Sequence, residues 1–333
     1  MTDLPSTDDL LATARVVSIP MRVPFRGLRT REALLFEGPR GWGEFAPFVE
    51  YDDTESARWL AAGIDWAYAA QPAPARDVVP VNATVPAVAP DRVAGVLARF
   101  DGCSTAKVKV AHAGQSLADD VCRVAATRDA LGASGRVRVD ANGGWDLDTA
   151  VDALCRLAPY GLEYAEQPCA TVEDLRRLRT ALAHKGIDVR IAADESIRKA
   201  ADPLRVARLG AADVVVVKAA PLGGVAAALQ VVAECGLPAV VSSALDTSVG
   251  IAAGAALAAA LPSLEFACGL GTVGFFDGDV TDAPLRPAGG ALPVRRPPVS
   301  PDRLAALAAP ADREQWWRDR LVRCARVLEE SRP

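Results

Sequence analysis

From about residue 80 onwards, short runs of apolar and β-branched residues alternate with longer segments rich in Ala, Leu and Arg. In chain order the runs are VPVNATV, AKVKV, RVRVD, LEYAE, VRIAAD, DVVVVK, AVVSS and LEFACGL. Strands separated by helical segments are typical of parallel βαβ units with right-handed crossovers. Eight such strands predict a closed barrel rather than an open sheet.

The segments between these runs have the polar ends of amphipathic helices. SLADDVCRVAATRDALG begins with Ser116 and ends at Gly132, and TVEDLRRLRTALAHKG begins with Thr171 and ends at Lys185 and Gly186. Ser and Thr are common helix N-caps, and Gly commonly follows a helix end. The polar residues that end the second to seventh runs are 24 to 31 residues apart, which is about one barrel unit. We therefore expect these polar residues on one rim.

The two ends of the chain have a different pattern. In residues 1–76, ARVVSIPM and EALLFEG predict strands, GWGEFAP a glycine turn and DDTESARWLAAGIDWAYAA a helix, before a linker at QPAPARDVVP. After about residue 275 the order is irregular until REQWWRDRLVRCARVLEE predicts a last helix. We expect an α+β capping domain formed by 1–76 and completed by 276–333, above a barrel (77–275) whose last helix is reduced or missing.

Composition narrows the class of protein. The 333 residues are 50% hydrophobic with a net charge of -5, which does not suggest nucleic acid as the main partner. The seven cysteines form no CxxC pair, as expected for reduced thiols in the cytoplasm. The apolar run 249–262 is shorter than the roughly 18 residues of a membrane span. We therefore expect a cytoplasmic protein with no membrane partner. The sequence leaves the oligomeric state open.

Three carboxylates end consecutive predicted strands: Asp140 in VRVDANGGW, Glu166 in EYAEQP and Asp194 in IAADES. A single acid at a strand end is often a helix N-cap or the partner of an Arg. Three acids on one rim repel one another unless a cation lies between them. An all-oxygen set of this kind suits Mg²⁺, with Mn²⁺ as the alternative.

Lysines flank this trio. Lys107 and Lys109 in TAKVKVA point to the same side of their strand, and Lys218 closes DVVVVK after the trio. A metal beside amines suits proton removal next to a carboxylate, although the lysines could also simply neutralise the acids. Two ammonium groups about 6.6 Å apart repel by roughly 2 to 3 kcal/mol, which predicts one pKa lowered by about one to two units.

The ordered motifs KVK, DANGGW, EQP, ADES and VVVKAAPLGG, with the turn GWGEFAP, resemble the enolase superfamily and its muconate-lactonizing subgroup. The stretches SSALDTSVGIAAGAALAAALP and ACGLGT are similar to the seventh- and eighth-strand region of o-succinylbenzoate synthases. The resemblance implies an α/β fold, a modified (β/α)7β TIM barrel under a capping domain. It also implies a lyase of menaquinone biosynthesis that dehydrates a small carboxylate through a metal-stabilised enediolate.

The resemblance also implies roles for the rim residues. Asp140, Glu166 and Asp194 would hold Mg²⁺, and Lys109 would be the general base of a syn elimination. Lys218 would stabilise the enediolate as a cation. Lys107 would hold the substrate carboxylate and keep the pKa of Lys109 low.

Further candidates surround these residues, each with a structural alternative. Asn142 and Arg138 flank Asp140 at the strand period and could brace that acid or a lysine, or Arg138 could form a structural ion pair. The strand ends and the capping domain supply candidates for substrate binding: Ser242, Ser243, Gly269, Gly271, Arg26 and Arg29. The glycines could equally serve tight turns.

Other activities stay open. N-succinylamino acid racemase and muconate cycloisomerase would use the same lysines and metal. A dipeptide epimerase is disfavoured because ACGLGTV lacks the Asp-x-Asp pair. A Schiff-base aldolase could use Lys218 as its nucleophile but has no use for three carboxylates, and a non-catalytic binding protein needs none of them.

Overall fold

An antiparallel sheet and a long helix form the first part of the chain. The computed structural model describes residues 5–199 and 202–331. The first elements are α1 (Thr7–Thr13), β1 (Arg15–Phe25), β2 (Leu28–Gly38), β3 (Gly41–Phe45) and α2 (Asp53–Tyr68). Arg26 and Gly27 join β1 to β2 with φ angles of 52° and 76°, as a two-residue hairpin turn requires.

Alternating strands and helices follow. They are β4 (Val78–Pro80), β5 (Ala83–Val85), α3 (Val93–Leu97), β6 (Thr105–Lys109), α4 (Leu117–Leu131), β7 (Arg136–Asp140), α5 (Leu147–Leu157), β8 (Leu162–Glu166), α6 (Val172–His184), β9 (Ile191–Ala193), α7 (Glu195–Arg198), α8 (Arg205–Arg208), β10 (Val214–Val217), α9 (Val225–Cys235), β11 (Ala239–Val241), α10 (Ser248–Ala260), β12 (Ala291–Pro293), α11 (Pro301–Ala306) and α12 (Ala311–Glu330). Ser116 and Thr171 cap α4 and α6 as predicted.

Seven parallel strands, β5 to β11 in sequence order, form a curled sheet. Cys268 and Gly269 close it. The Asn82 amide, directly before β5, donates to Cys268 O (2.9 Å) at one edge, and the Gly269 amide donates to Val241 O (2.8 Å) at the other. The predicted eight-stranded barrel is therefore confirmed, but its last strand is reduced from LEFACGL to isolated bridges at Cys268 and Gly269, and the preceding Ala267 carbonyl accepts from Arg138.

The predicted strand VPVNATV is divided between two sheets. Residues of β4 pair antiparallel with β12, whereas β5 pairs with β6 in the barrel. The C-terminal segment therefore returns to the start of the barrel as well as to the capping elements. The exact domain boundaries at 76 and 275 stay a prediction.

The barrel interior explains where the rim residues point. Tyr164, Val214, Val216 and Phe266 belong to a buried cluster separate from the main core, while Val215 packs in that main core. Alternate residues of each strand therefore face the interior. Continuing the alternation from Val216 and Tyr164 by two residues leads to Lys218 and Glu166 at the carboxyl ends of the strands.

The last helix fastens the capping elements. α12 packs against α2, and its buried Arg320 donates to the carbonyls of Phe48 (2.9 Å) and Tyr51 (2.6 Å) and to Ser56 Oγ (2.8 Å). These contacts fix the segment between β3 and α2, which faces the barrel mouth. Across the described ranges, the helices are too short or too polar to cross a bilayer.

Candidate active site

Five consecutive strands deliver charged side chains to one rim of the barrel. Lys109, Asp140 and Glu166 are the last residues of β6, β7 and β8, and Asp194 and Lys218 directly follow β9 and β10. The β6–β7 register pairs Lys107 with Arg138 and Lys109 with Asp140, so Lys107 lies one layer deeper. The structure thus brings together the lysines and carboxylates that the sequence placed on one rim.

The lysines and carboxylates contact each other directly. Lys107 Nζ lies 2.8 Å and 2.9 Å from the Glu166 oxygens and 3.1 Å from Asp140 Oδ2. Lys109 Nζ lies 2.5 Å from Asp140 Oδ2, and Lys218 Nζ lies 2.8 Å and 2.6 Å from the two oxygens of Asp194. Each acid therefore has an ammonium partner.

Burial and these contacts shift the ionisation of the acids. Burial and the charge of Asp140 raise the pKa of Glu166 to about 7. Burial also opposes ionisation of Asp194, but Lys218 and Arg198 hold its pKa at about 2. For Asp140, Lys107 and Lys109 outweigh burial and hold the pKa well below its usual range. The lysines and Arg198 thus favour the anionic forms of Asp140 and Asp194, whereas burial and Asp140 favour the neutral form of Glu166.

The two buried lysines respond in opposite directions. Burial disfavours the ammonium form of Lys107, but Asp140 and Glu166 outweigh it and raise the Lys107 pKa well above its ordinary value. Asp140 and Glu166, which lie 3.1 Å and 2.8 Å from Lys107 Nζ, thus stabilise the ammonium form of Lys107. Burial lowers the pKa of Lys218 in spite of the attraction of Asp194.

The carboxylate trio fits a hard divalent cation by its chemistry. Asp140 and Glu166 already converge on one cation, the Lys107 ammonium, at 3.1 Å and 2.8 Å. Carboxylate oxygens are the ligands that Mg²⁺ and Mn²⁺ prefer. Within the described ranges no three acid, His or Cys side chains are arranged as a metal centre, and Lys107 and Lys218 contact the acids instead. The metal-ligand assignment stays a prediction.

A pocket lies above the rim, between the barrel and the capping elements. Phe25, Arg26, Phe48 and Trp59 line it from the capping side. Arg26 reaches it because the hairpin turn between β1 and β2 lies over the pocket. Arg29, the other arginine of PFRGLRT, is exposed and does not line the pocket.

The remaining candidates divide between the pocket and the scaffold. Asn142, Ser242, Ser243 and Gly269 line the pocket. A Cβ on Gly269 would lie 2.5 Å from Ser242 Oγ, so this glycine permits close strand approach. Gly271 lies outside the pocket, where a Cβ would meet Phe100 at 3.0 Å and Pro287 at 3.3 Å.

Arg138 does not brace Asp140; the structure shows the ion-pair alternative. Its Nε donates to Glu163 Oε2 (2.5 Å), its Nη1 to Asn82 Oδ1 (3.1 Å), and its guanidinium lies 4.7 Å from the Tyr164 ring centre. Arg138 follows the interior side of β7 but is one layer beneath the rim, where it fills the barrel. Arg138 lies on the same face of β7 as Asp140, and only its position along the strand separates it from the site.

Several pocket residues had no part in the sequence predictions. Trp59 lines the pocket, and its buried Nε1 has no partner in the described part of the chain. Arg198 also lines it, with its Nε 3.2 Å from Asp194 Oδ1. The four-residue spacing from Asp194 was a usable signal for Arg198, because a helical turn brings such residues together. No local pattern marks Trp59, which comes from α2.

Capping residues also hold the loop after β11, which lines the pocket with Ser243 and Leu245. Arg31 Nε donates to Leu245 O (3.0 Å), and Leu245 has a left-handed φ of 62°. Glu44 accepts from Thr247 Oγ1 (2.5 Å) at the start of α10. Asp246, next to Leu245, accepts from the Ala244 amide (3.0 Å). The pocket wall is therefore held from the capping side.

Comparisons with known proteins agree with this architecture. A family model described as Enolase C-terminal domain-like matches residues 91–299, and one described as Enolase N-terminal domain-like matches residues 16–67. Enzymes of the enolase superfamily generally use a divalent metal.

Solved structures share the fold at low identity. An N-succinyl Arg/Lys racemase from Bacillus cereus superposes with a TM-score of 0.73 at 19% identity, covering 89% of this chain and 96% of that one. A muconate lactonizing enzyme from Pseudomonas fluorescens gives 0.73 at 21% identity, covering 89% and 98%. These two likenesses show the fold alone.

Curated sequences are much more similar. An o-succinylbenzoate synthase from Mycolicibacterium smegmatis is 57% identical over 326 residues, covering 98% of this chain and 99% of the relative. One from Thermobifida fusca is 59% identical over 293 residues, covering 88% and 90%. By this full-length identity and the two family models, the chain belongs to the enolase superfamily and, within it, to the o-succinylbenzoate synthases.

Proposed function

We propose that this protein dehydrates 2-succinyl-6-hydroxy-2,4-cyclohexadiene-1-carboxylate to o-succinylbenzoate with Mg²⁺, in the cytoplasm, as a step of menaquinone biosynthesis. The observation that carries the proposal is the placement of Lys109 and Lys218 across one pocket with three carboxylates between them. The full-length similarity to o-succinylbenzoate synthases selects this reaction among those the site chemistry allows.

Strand order puts the two lysines on opposite sides of the pocket. Between β6 and β10 lie β7, β8 and β9 on one side. On the other side lie β11, the Cys268–Gly269 pairing and β5. Lys109 and Lys218 are thus half a turn apart around an eight-stranded ring, so a substrate between them presents one face to each.

Asp140, Glu166 and Asp194 are the residues that would hold the metal, and each follows or ends a neighbouring strand. When bound, the metal supplies positive charge to the substrate carboxylate and so favours loss of the adjacent proton. Asn142 accepts a hydrogen bond from Lys109 and so holds the base in place. Arg198 donates to Asp194 and so holds one of the acids in place.

Lys109 performs both proton transfers. As the free amine, it takes the proton from the ring carbon that bears the carboxylate, and the electron pair left behind forms the enediolate. The resulting ammonium returns the same proton to the C6 hydroxyl, which leaves as water from the same face. The enediolate electrons form the new ring double bond, and the product is the aromatic o-succinylbenzoate plus one water.

The other residues bind and stabilise. Lys218 faces the opposite side of the substrate as a cation, and Lys107 lies beneath the carboxylate position. Arg26 at the hairpin turn is positioned to meet the succinyl carboxylate at the pocket mouth, beside Ser243. The capping elements cover the pocket and limit the access of water during the proton transfers.

The direct test is an assay of purified protein on the cyclohexadiene substrate with and without Mg²⁺. We expect o-succinylbenzoate to form, EDTA to abolish its formation and added Mg²⁺ to restore it. Lys109→Ala should lower kcat at least about 100-fold, because general-base catalysis contributes roughly 10² to 10⁴. The exposed Lys185 provides a matched control, Lys185→Ala. Retention of more than about a hundredth of the activity in Lys109→Ala contradicts the base assignment.

The same assay separates the other activities. Racemisation of N-succinyl amino acids that is faster than dehydration would contradict the proposal, as would cycloisomerisation of muconate at a higher rate. Exchange of solvent deuterium from both faces of a substrate analogue would show that Lys218 also transfers protons. Borohydride trapping of substrate on Lys218 in the presence of EDTA would indicate Schiff-base chemistry instead.

A further inference from the structure

Arg198 connects the barrel rim to the capping elements. It belongs to α7, directly after Asp194, and only 4% of its side chain is exposed. Its Nε donates to Asp194 Oδ1 (3.2 Å), its Nη2 to Glu195 Oε1 (2.7 Å) and its Nη1 to the Tyr51 hydroxyl (3.1 Å). One buried guanidinium therefore holds two barrel carboxylates and one capping side chain.

The same network continues to Lys109. Glu195 Oε1 also accepts from Asn142 Nδ2 at 3.2 Å. The Asn142 oxygen in turn accepts from Lys109 Nζ at 2.7 Å. Asn142 is fixed by a left-handed φ of 48° and by its amide, which donates to Asp140 Oδ1 (3.1 Å). An unbroken chain of hydrogen bonds thus runs from the Lys109 amine to Tyr51.

Tyr51 is itself held firmly on the capping side. Arg320 of α12 donates to its carbonyl (2.6 Å), and its ring packs edge-on against Phe48, with ring centres 5.5 Å apart. Its hydroxyl also lies 3.5 Å from Arg26 Nη1, at the pocket mouth. Tyr51 therefore gives Arg198 a fixed anchor that does not belong to the barrel.

We propose that Arg198 is a positioning residue, which uses Tyr51 as an anchor to fix both Asp194 and, through Glu195 and Asn142, the amine of Lys109. The inference rests on the proposed function, because it takes Asp194 as a metal ligand and Lys109 as the base. The planar guanidinium is suited to this task because it makes three bonds in fixed directions. A group that merely balanced the charges of Asp194 and Glu195 would need no such geometry.

Arg198→Lys separates geometry from charge. The lysine keeps the positive charge but has one donor atom in place of the fork. We expect Arg198→Lys to retain the melting temperature of the parent to within a few degrees, to bind Mn²⁺ about 10 to 100 times more weakly in calorimetric titration, and to lower kcat by a similar factor. Partners that orient metal ligands have effects of this size. Arg198→Met should show both defects and melt at a lower temperature.

Tyr51→Phe tests the anchor. It removes one hydroxyl that does not line the pocket and keeps the ring packing. We expect kcat to fall about 5- to 10-fold, with KM changed less than twofold. Tyr160→Phe is the matched control, because the Tyr160 hydroxyl makes no hydrogen bond to the described part of the chain.

Three results would overturn the proposal. If Arg198→Lys binds Mn²⁺ and turns over within twofold of the parent, Arg198 acts only through its charge. If Tyr51→Phe equals Tyr160→Phe in kcat, the capping anchor has no role. If the parent protein binds Mn²⁺ in a manner unaffected by Asp194→Asn, the premise about Asp194 is wrong. If the parent protein binds Mn²⁺ but does not dehydrate the substrate, the proposed reaction is wrong. The Mn²⁺ titrations then still decide whether Arg198 positions Asp194.

Discussion

Glu44 is a buried carboxyl group between the capping sheet and the barrel, and its replacement by Gln gives a quantitative test of the cap–barrel contact. Its side chain accepts from Thr247 Oγ1 (2.5 Å) and from the Gly250 amide (3.0 Å) at the first turn of α10. Asp246 and Arg31 are the charged groups beside it. Burial and the charge of Asp246 raise the pKa of Glu44 to about 8, in spite of Thr247 and Arg31.

The sign of the pH effect follows from this raised pKa. The unfolded chain releases the proton near the ordinary glutamate pKa of 4.5, whereas the folded chain keeps it until about pH 8. The contribution to stability is therefore fully present below about pH 4.5 and is lost as the pH rises to about 8. At 1.36 kcal/mol per pH unit, the whole interval corresponds to at most about 5 kcal/mol.

Glu44→Gln resembles the protonated group and cannot ionise. We expect the variant and the parent to have similar free energies of unfolding at pH 5, and the variant to be more stable by about 2 to 4 kcal/mol at pH 8. Urea unfolding followed by tryptophan fluorescence at pH 5, 6, 7 and 8 measures the difference. Trp66 of α2 lines the same small cavity as Glu44 and Asp246 and therefore reports on this contact.

Glu32→Gln on the neighbouring strand is the matched control. Burial would raise the pKa of Glu32, but hydrogen bonds from Arg313 and Trp317 outweigh it and lower this pKa. Glu32 is therefore ionised in both states between pH 5 and 8, and its replacement should cost the same free energy throughout that range. A Glu44→Gln effect equally independent of pH would refute the reasoning and show that the start of α10 keeps Glu44 ionised.

Two further substitutions separate the scaffold from the pocket. Arg138→Met removes the buried guanidinium that pairs with the half-buried Glu163, which keeps Arg136 at 2.6 Å. We expect the free energy of unfolding to fall by about 1 to 3 kcal/mol with kcat per folded molecule unchanged, as measured by denaturation and by activity assays. Trp59→Phe removes the buried Nε1, which has no hydrogen-bond partner among the described residues, from a side chain that lines the pocket. We expect the loss of a hydrogen bond from Nε1 to a substrate carboxylate to raise KM roughly 10-fold with little change in kcat. Trp66→Phe on the same helix should leave KM unchanged.

The rim of the barrel could be predicted from the sequence because its geometry depends on local periodicity. Side chains alternate along each strand, and parallel strands end at a common edge. The position of Lys109, Asp140 and Glu166 at strand ends therefore put them on one rim before any packing was known. The same periodicity could not show that the Arg138 guanidinium turns to Glu163 and Asn82 instead of Asp140, because those two partners come from other parts of the chain.

The contacts between the capping elements and the barrel follow no such local rule. Arg198 and Tyr51 are 147 residues apart, and Glu44 and Thr247 are 203 residues apart. Each pair forms where the capping elements pack on the barrel, so neither spacing nor residue type marks it in advance. These contacts have a common result: each ties a capping residue to a barrel loop that lines the pocket. Variation in the capping elements can therefore alter the pocket without changing the residues of the rim.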